Sequence, residues 1–419
     1  MDKAIKRSKN LYIVEAALEY FVAIMVAGSF LATLTSKLGF SDAQTGILSS
    51  IISLGCVFQL ISITIRPKRS KPFVLVLSVL NQLLFTLLYV IPLPEKNSSF
   101  LKILFVVVII SAYLLYYIAH PKKTGWLMSL VDDKERGKFT ANKEIVSLLL
   151  GMGFSFGMGA LVDHFKAKGE LSTALVLCAL TLFVLTILHT LTMAFSVEKV
   201  VEQPKKQNFF KSLKDLFKDK NILKVSVLFI LWNVSQACTT PFLSTYFLHD
   251  IGFTLTIITI ITAGGSFSRI LISRFWGNYA DKHSFAKMDM LCFGVAAISF
   301  LFIIFSGPEN SFVTVTAYFV LHAVALGGIN SSVINLVFDY APVEKRADSL
   351  AITQVLSGLA GFTTTLIVSP FIEFVQNNGD TLFGIPVKAQ QVTAVFTFIM
   401  CVVCALYAYF VLVKGSKRG

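Results

Sequence analysis

The chain has few charged residues for its length. Of its 419 residues, 15% are charged and 55% are hydrophobic, and the mean hydropathy is +0.73. Soluble domains carry charge on about a quarter of their residues, so this composition excludes an ordinary soluble protein. Apolar runs of about 20 residues recur along the chain, and each is long enough to cross roughly 30 Å of hydrocarbon. We therefore predict a polytopic membrane protein.

The motifs that would define an enzyme or an ATP-driven pump are missing. No phosphate-binding loop of the form Gly-x-x-x-x-Gly-Lys-[Ser/Thr] occurs, and the polar loops are too short for an ATPase domain. The six cysteines lie in apolar runs without histidine neighbours, which indicates buried thiols rather than a disulfide framework or a zinc site. Since no convincing nucleophile cluster, catalytic acid pair or metal set lies at one membrane interface, we predict a protein that is not an enzyme and uses no cofactor.

The net charge of +13 is unevenly distributed. With the amino terminus inside, 30 of the 37 lysines and arginines fall in the seven segments expected on the cytoplasmic side, six fall in outer loops, and Arg269 lies within a span. This positive-inside pattern predicts a cell-membrane protein with both termini in the cytoplasm. The charge therefore indicates topology and attraction to membrane lipid, and not binding to nucleic acid.

The apolar runs predict twelve helical spans, because helices satisfy their own backbone hydrogen bonds in lipid. The spans cover residues 11–37, 42–65, 72–93, 100–120, 142–163, 171–196, 222–247, 253–276, 287–306, 312–338, 348–374 and 389–413. The first run is too long for a signal peptide and is expected to remain as a helix. Segment 197–221 is either an amphipathic interfacial helix or a flexible tether. The predicted domains are 1–196 and 222–419, joined by this linker.

The two halves resemble each other. Three short similarities occur in the same order, offset by 210 to 213 residues. They pair Phe30–Thr33 with Phe242–Thr245, Gly39–Ser41 with Gly252–Thr254, and Arg136–Ala141 with Arg346–Ala351. An ordered set with a nearly constant offset predicts a parallel repeat of six spans plus six.

The connection after span eight carries Gly277, Asp281, Lys282 and Lys287. This pattern resembles the Gly-x-x-x-Asp-[Arg/Lys] loop signature of the major facilitator superfamily, and the span count, repeat and central linker are similar to that family throughout. The resemblance implies an all-α membrane protein with twelve transmembrane helices in two pseudo-symmetric six-helix bundles. The corresponding first-half connection, residues 66–71, lacks the aspartate.

The resemblance also implies a cytoplasmic gate. In that family, acids and bases at the inner helix ends hold the inner face shut. Carried over to this sequence, Gly277 allows close packing, Asp281 is the acid of the gate and Lys282 is a supporting base. Asp339, Arg346 and Arg136 flank the corresponding turns. The alternative is a solvated network of ion pairs without a gating role.

Charged residues inside the spans are candidates for proton coupling or substrate binding, since burying them in lipid is costly. Glu15 and Glu19 share one face of the first helix, where two acids in a low dielectric do not both ionise cheaply. Alternatively, Glu15 is solvated at the boundary and Glu19 pairs with a buried base. Arg269 either binds an anionic group, pairs with Glu19, or pairs within its own half. His322 is either a proton relay or a neutral core histidine.

Uncharged polar and aromatic side chains in the spans predict a substrate cavity, with hydrogen bonding between helices as the alternative. The predicted lining residues are Tyr20, Tyr113, Trp232, Asn233, Gln236, Asn330 and Asn335.

The sequence thus predicts a proton-linked secondary transporter of a small organic solute. Export of an amphipathic or cationic compound is favoured, because the intramembrane charges of the first half are acidic. The alternatives are uptake of a sugar or other polar metabolite and, from another class, a membrane receptor or lipid-handling protein that does not transport. The expected partners are the solute, protons and membrane lipid, and the expected state is a monomer.

Overall fold

The computed structural model is almost entirely helical. It describes residues 2–65, 67, 69–94, 98–131, 136–198, 219–307, 309–341 and 346–414. In the first half, the helices are α1 (Asp2–Met25), α2 (Gly28–Lys37), α3 (Asp42–Ser49), a 3₁₀ segment (Ser50–Leu54), α4 (Gly55–Thr64), α5 (Ser70–Val90), α6 (Ser99–Met128), α7 (Arg136–Ala167) and α8 (Leu171–Ala194).

The second half begins with α9 (Lys220–Thr239), which continues through short 3₁₀, α and π turns to Asp250. It then comprises α10 (Leu255–Lys282), α11 (Phe285–Ile304), α12 (Ser311–Tyr340), α13 (Arg346–Asn377), α14 (Ala389–Tyr407) and a final π-helical segment (Ala408–Val413). Between α13 and α14, strands β1 (Thr381–Leu382) and β2 (Ile385–Pro386) pair antiparallel.

The number of membrane spans agrees with the sequence. Among the described residues, eleven helices are long and apolar enough to cross a membrane, and the number is twelve when α1 and α2, which meet at 41°, are counted as one span. The predicted end of span four at residue 120 was wrong, because α6 continues to Met128 with Pro121 inside it. Proline removes one backbone hydrogen bond, and this helix tolerates the loss.

The helices form two compact units. Unit 1 contains Met1–Ser41, Val57–Lys206 and Thr254–Thr259, and unit 2 contains Asp42–Cys56, Gln207–Phe253 and Ile260–Gly419. The predicted amphipathic linker helix falls mostly on residues 199–218, which lie outside the described residues. The domain boundaries at 196 and 222 therefore stay a prediction.

Each unit uses the same set of helix pairs. In unit 1, α5 packs against α6 and α8, and α1 packs against α7 and α8. In unit 2, α11 packs against α12 and α14, and α9 packs against α13 and α14. Counted as spans, each of these four pairs in unit 2 is a unit 1 pair moved six spans along the chain. This repetition gives the fold its pseudo-symmetry.

Span one is interrupted between α1 and α2. Ala27 is extended, with φ of −133° and ψ of 174°, so the backbone leaves the helix for one turn. Backbone groups freed inside a membrane need other partners. The buried Tyr89 hydroxyl donates to the Met25 carbonyl at 2.5 Å and supplies one. The interruption is therefore stabilised by a side chain from α5.

Two glycines end equivalent helices in the two halves. Gly169 follows α7 with φ of +77°, and Gly379 follows α13, 210 residues later, with φ of +68°. At both places the glycine N–H and the following N–H donate back to the last turn at 2.9 to 3.1 Å. Left-handed backbone costs a residue with a Cβ roughly 1–2 kcal/mol, which explains glycine here.

We expect Gly169→Ala to lower the free energy of unfolding by about 1 kcal/mol, because alanine is strained at this φ. Gly153→Ala, inside the helix that Gly169 follows, is the matched control, since an added Cβ there has no described heavy atom within 4 Å. Alanine inside a helix is favoured over glycine by about 0.5–1 kcal/mol, so the control should be stabilised. Denaturant unfolding in detergent measures the free energy of unfolding of both variants. If it changes in the same direction in both, the explanation is contradicted.

Candidate functional site: a buried charge cluster

Four ionisable side chains of unit 1 are in contact with one another. The Lys123 ammonium lies 2.7 Å from Glu15 Oε1 and 2.5 Å from Glu19 Oε2. His189 Nε2 lies 2.9 Å from the same oxygen of Glu15. The exposed fraction is 2% for the Glu15 and His189 side chains and 5% for Lys123, whereas Glu19 keeps 21%. We call these four residues the buried charge cluster.

Three helices position the cluster. Glu15 and Glu19 are four residues apart on α1, so their side chains project from one face. Lys123 is on the extension of α6 beyond Pro121, and His189 is on α8, which packs against α1. The predicted spans place residue 123 in the connection between spans four and five, whereas in the structure it lies within α6. The alternative that Glu15 is solvated at the membrane boundary is excluded, because only 1% of the residue is exposed.

The cluster has more acidic than basic charge. Two carboxylates face one ammonium, so with a neutral His189 the cluster carries one negative charge in excess. An unpaired buried charge costs several kcal/mol, and a bound proton or cationic group removes this cost. The arrangement therefore favours uptake of a single positive charge.

A small polar pocket reaches the cluster from one side. Its cavity volume is about 10 Å³, which is room for about one water molecule. The pocket is lined by the cluster residues Glu19, Lys123 and His189 and by Ser78, Asn81, Gln82, Tyr116, Ala119 and His120. Two atoms here, Gln82 Oε1 and His189 Nδ1, are buried without a hydrogen-bond partner among the described residues. Glu19 is thus the acid of the cluster that lines this water-sized space, and Glu15 does not line it.

The two tyrosines predicted to line a cavity pack inside unit 1. The Tyr20 ring lies against Gly151 of α7, where an added Cβ would collide with it. Tyr113 is 6% exposed and its ring meets Phe85 edge-on, with 5.2 Å between ring centres. Its hydroxyl lies 3.5 Å from the Val26 carbonyl, beside the interruption of span one.

Trp232 and His322 are together in the core of unit 2. Their ring centres are 6.4 Å apart, and the imidazole stacks on Tyr318 at 5.2 Å. His322 Nδ1 lies 3.5 Å from the Ser299 hydroxyl. The imidazole is therefore enclosed by aromatic rings, and the choice between a proton relay and a neutral core histidine stays a prediction.

The predicted amides of unit 2 differ in their surroundings. Asn233 and Asn335 donate to carbonyls of their own helices at 3.0 and 2.8 Å. Gln236 Nε2 is buried and lacks a hydrogen-bond partner in the part of the chain that the structure describes. Asn330 is exposed. Arg269 is half-buried on α10, and its aliphatic stem lies against Gly327 of α12.

The residues assigned to the gate lie at helix ends. Asp281 and Lys282 are exposed at the end of α10, and Asp339 is exposed near the end of α12. Arg346 donates through Nε to the Phe338 carbonyl at 3.1 Å. Around Gly277, no described heavy atom lies within 4 Å of an added Cβ, so this conformation does not use the glycine for close packing. The Arg136 side chain lies outside the described residues.

Two cluster residues, Lys123 and His189, were missed from the sequence. His189 interrupts a long apolar span, and an isolated ionisable residue in such a run is a signal for function. Lys123 gave no comparable signal, because Pro121 and the adjacent Lys122 resemble the end of a span.

The family model of the Major Facilitator Superfamily matches residues 13–365 of the chain. The chain belongs to this superfamily. No curated protein matches the sequence. Membership in the major facilitator superfamily makes the chain a multi-pass secondary transporter of small molecules, and points to a protein that is not an enzyme.

Solved structures of the superfamily share the fold. A mutant of the nucleoside transporter NupG aligns with a TM-score of 0.74 at 13% identity, covering 97% of this chain and all of that one. A bacterial homologue of the human drug peptide transporters PepT1 and PepT2 aligns with a TM-score of 0.70 at 11% identity, covering 99% of both chains. For a D-xylose-proton symporter the TM-score is 0.68 and the identity 12%, with 97% of both chains covered.

Proposed function

We propose that this transporter is proton-linked and exports a cationic or amphipathic organic compound by alternating access. The observation that carries the proposal is the charge imbalance of the buried charge cluster. A proton or the cationic group of a substrate balances the cluster equally well, so the two compete for one site. Competition of this kind links the outward movement of one to the inward movement of the other.

Glu19 is the exchanging acid in this proposal. It lines the pocket and is partly exposed, whereas Glu15 is enclosed between Lys123 and His189. When a proton or a cationic group binds Glu19, the Lys123 ammonium is left to pair with Glu15. Lys123 and His189 therefore position the site, and Tyr116, Asn81 and Gln82 offer hydrogen bonds to the substrate.

The second candidate is uptake of a sugar or other polar metabolite. It is favoured by Gln236, whose buried Nε2 has no partner among the described residues and would donate to a substrate hydroxyl. Structural neighbours include a nucleoside transporter and a D-xylose-proton symporter. In this alternative the cluster couples proton entry to uptake.

The gate also remains part of the proposal. We propose that Asp281 and Lys282 at the end of α10, with Asp339, Arg346, Arg136 and Gly277, stabilise the conformation in which the cytoplasmic side is closed. We propose that both termini lie on that side of the cell membrane, because most lysines and arginines fall in the segments expected there. The expected partners remain the solute, protons and lipid, with a monomer as the working unit.

The test uses proteoliposomes with an imposed pH gradient and ethidium as a fluorescent cationic probe. We expect the wild type to move ethidium only with the gradient, and Glu19→Gln to lose this dependence because an amide does not exchange a proton. Glu170→Gln, at an exposed position, is the matched control. Gradient-driven movement that survives in Glu19→Gln would refute the coupling site. Movement of radiolabelled xylose or uridine, without movement of ethidium, would support the second candidate.

A further inference from the structure

An acid outside the buried charge cluster is enclosed in unit 2. Asp289 is the fifth residue of α11, and none of its surface is exposed. Both of its carboxyl oxygens are buried and have no hydrogen-bond partner among the described residues. A carboxylate in such a place lacks both water and a donor, and burial strongly disfavours its charged form.

Within the part of the chain that the structure describes, the neighbours of Asp289 offer it no positive charge. The titratable groups that face it there are two thiols, Cys292 one turn later on α11 and Cys404 of α14. The other neighbouring helix, α12, presents the Ser332 hydroxyl. The final segment contributes Ala408 and Leu412, which are buried and apolar.

Ser332 suits a protonated partner better than an ionised one. Its hydroxyl donates to the Ile329 carbonyl at 2.8 Å, so its hydrogen is already used. The oxygen can still accept a hydrogen bond, which a carboxylic acid supplies and a carboxylate does not. The amino-terminal end of α11 also favours negative charge, but this effect falls off within the first turn, and Asp289 lies at its edge.

We propose that Asp289 is a second proton-binding site, which holds a proton at neutral pH in this conformation. This proposal does not depend on the buried charge cluster of unit 1. It holds whether or not Glu19 couples transport. Asp289 lies only about 6 Å along the axis from the start of α11, which is the end predicted to be cytoplasmic.

Close packing closes this site to water. At Gly328 of α12, an added Cβ would collide with Cys292 Sγ and lie 3.3 Å from the Trp276 ring. The Cys292 side chain of α11, one turn from Asp289, therefore packs directly on the α12 backbone at Gly328. The proton exchanges when these two helices separate, so proton binding at Asp289 favours the packed arrangement.

Infrared spectroscopy of the purified protein tests the proposal without a substrate. A protonated carboxyl has a C=O stretch that is resolved from carboxylate bands and shifts in D₂O. At neutral pH we expect such a band in the wild type and its loss in Asp289→Asn. Glu309→Gln, at an exposed loop position, is the control and should retain the band.

Ser332→Ala gives a second measurement if Asp289→Asn does not fold. Loss of an accepting oxygen should move the same band to higher frequency without removing it. We also expect slow hydrogen exchange of the band in D₂O, which Gly328→Ala should accelerate by forcing α12 away from α11. The proposal would be overturned if the wild type lacks the band at neutral pH. It would also be overturned if neither Asp289→Asn nor Ser332→Ala changes the band.

Discussion

Lys123→Met is expected to lower the free energy of unfolding by about 3–5 kcal/mol, because removing one partner of a buried ion pair leaves the others uncompensated. The substitution keeps the length of the side chain but leaves Glu15 and Glu19 facing each other without the ammonium that lies 2.7 and 2.5 Å from them. Reversible denaturant unfolding in detergent gives the free energy, and thermal unfolding gives a second readout.

Two further variants identify the cause of this loss. Lys122→Met makes the same replacement at a half-exposed position of the same helix, and it should change stability by less than about 1 kcal/mol. Glu15→Gln added to Lys123→Met removes a carboxylate that has lost its partner, so the double variant should be more stable than Lys123→Met alone. A loss of less than about 1 kcal/mol in the single variant would show that the lysine does not compensate a buried charge.

Gly265→Val is expected to destabilise unit 2 by about 1–3 kcal/mol through overpacking. A Cβ at this position would lie 2.9 Å from the backbone oxygen of Phe319 on α12. Backbone cannot rotate away as a side chain can, so α10 and α12 must move apart. Thermal unfolding of the purified protein measures the effect.

The adjacent glycine provides the control for this prediction. An added Cβ at Gly264 has no described heavy atom within 4 Å, although the residue lies in the same helix. Gly264→Val therefore carries the same change in helix propensity without the clash. If the two variants unfold at the same temperature, the close approach of α10 and α12 is not what requires glycine at residue 265.

The helical architecture could be predicted because it depends on local sequence. Runs of about 20 apolar residues determine the spans. The repeated Gly-Phe pairs at Gly39 and Gly252 marked equivalent bends, and both glycines have positive φ, at +71° and +78°. The resemblance to the superfamily rested on such features, and the family model confirms it.

The partners within the site could not be predicted in the same way. Helical spacing placed Glu15 and Glu19 on one face, but His189 is 174 residues from Glu15 and meets it only after α1 packs against α8. Lys123 depends on α6 continuing through a proline, which the neighbouring helices decide. Asp289 lies near a span end, where the sequence does not distinguish a solvated acid from an enclosed one.

Because span one is interrupted between Met25 and Gly28, Glu15 and Glu19 lie on a helix, α1, that is separate from α2. Because the backbone leaves the helix at Ala27, α1 and α2 have separate hydrogen-bond ladders, and a tilt of α1 about this joint would not require α2 to follow. At the joint, the backbone carbonyls of Met25 and Val26 accept from the side-chain hydroxyls of Tyr89 and Tyr113 rather than from a continuous helical ladder. Glu15 and Glu19 lie ten and six residues before the end of α1 at Met25, so a change of charge at either acid acts on the helix that ends at this joint.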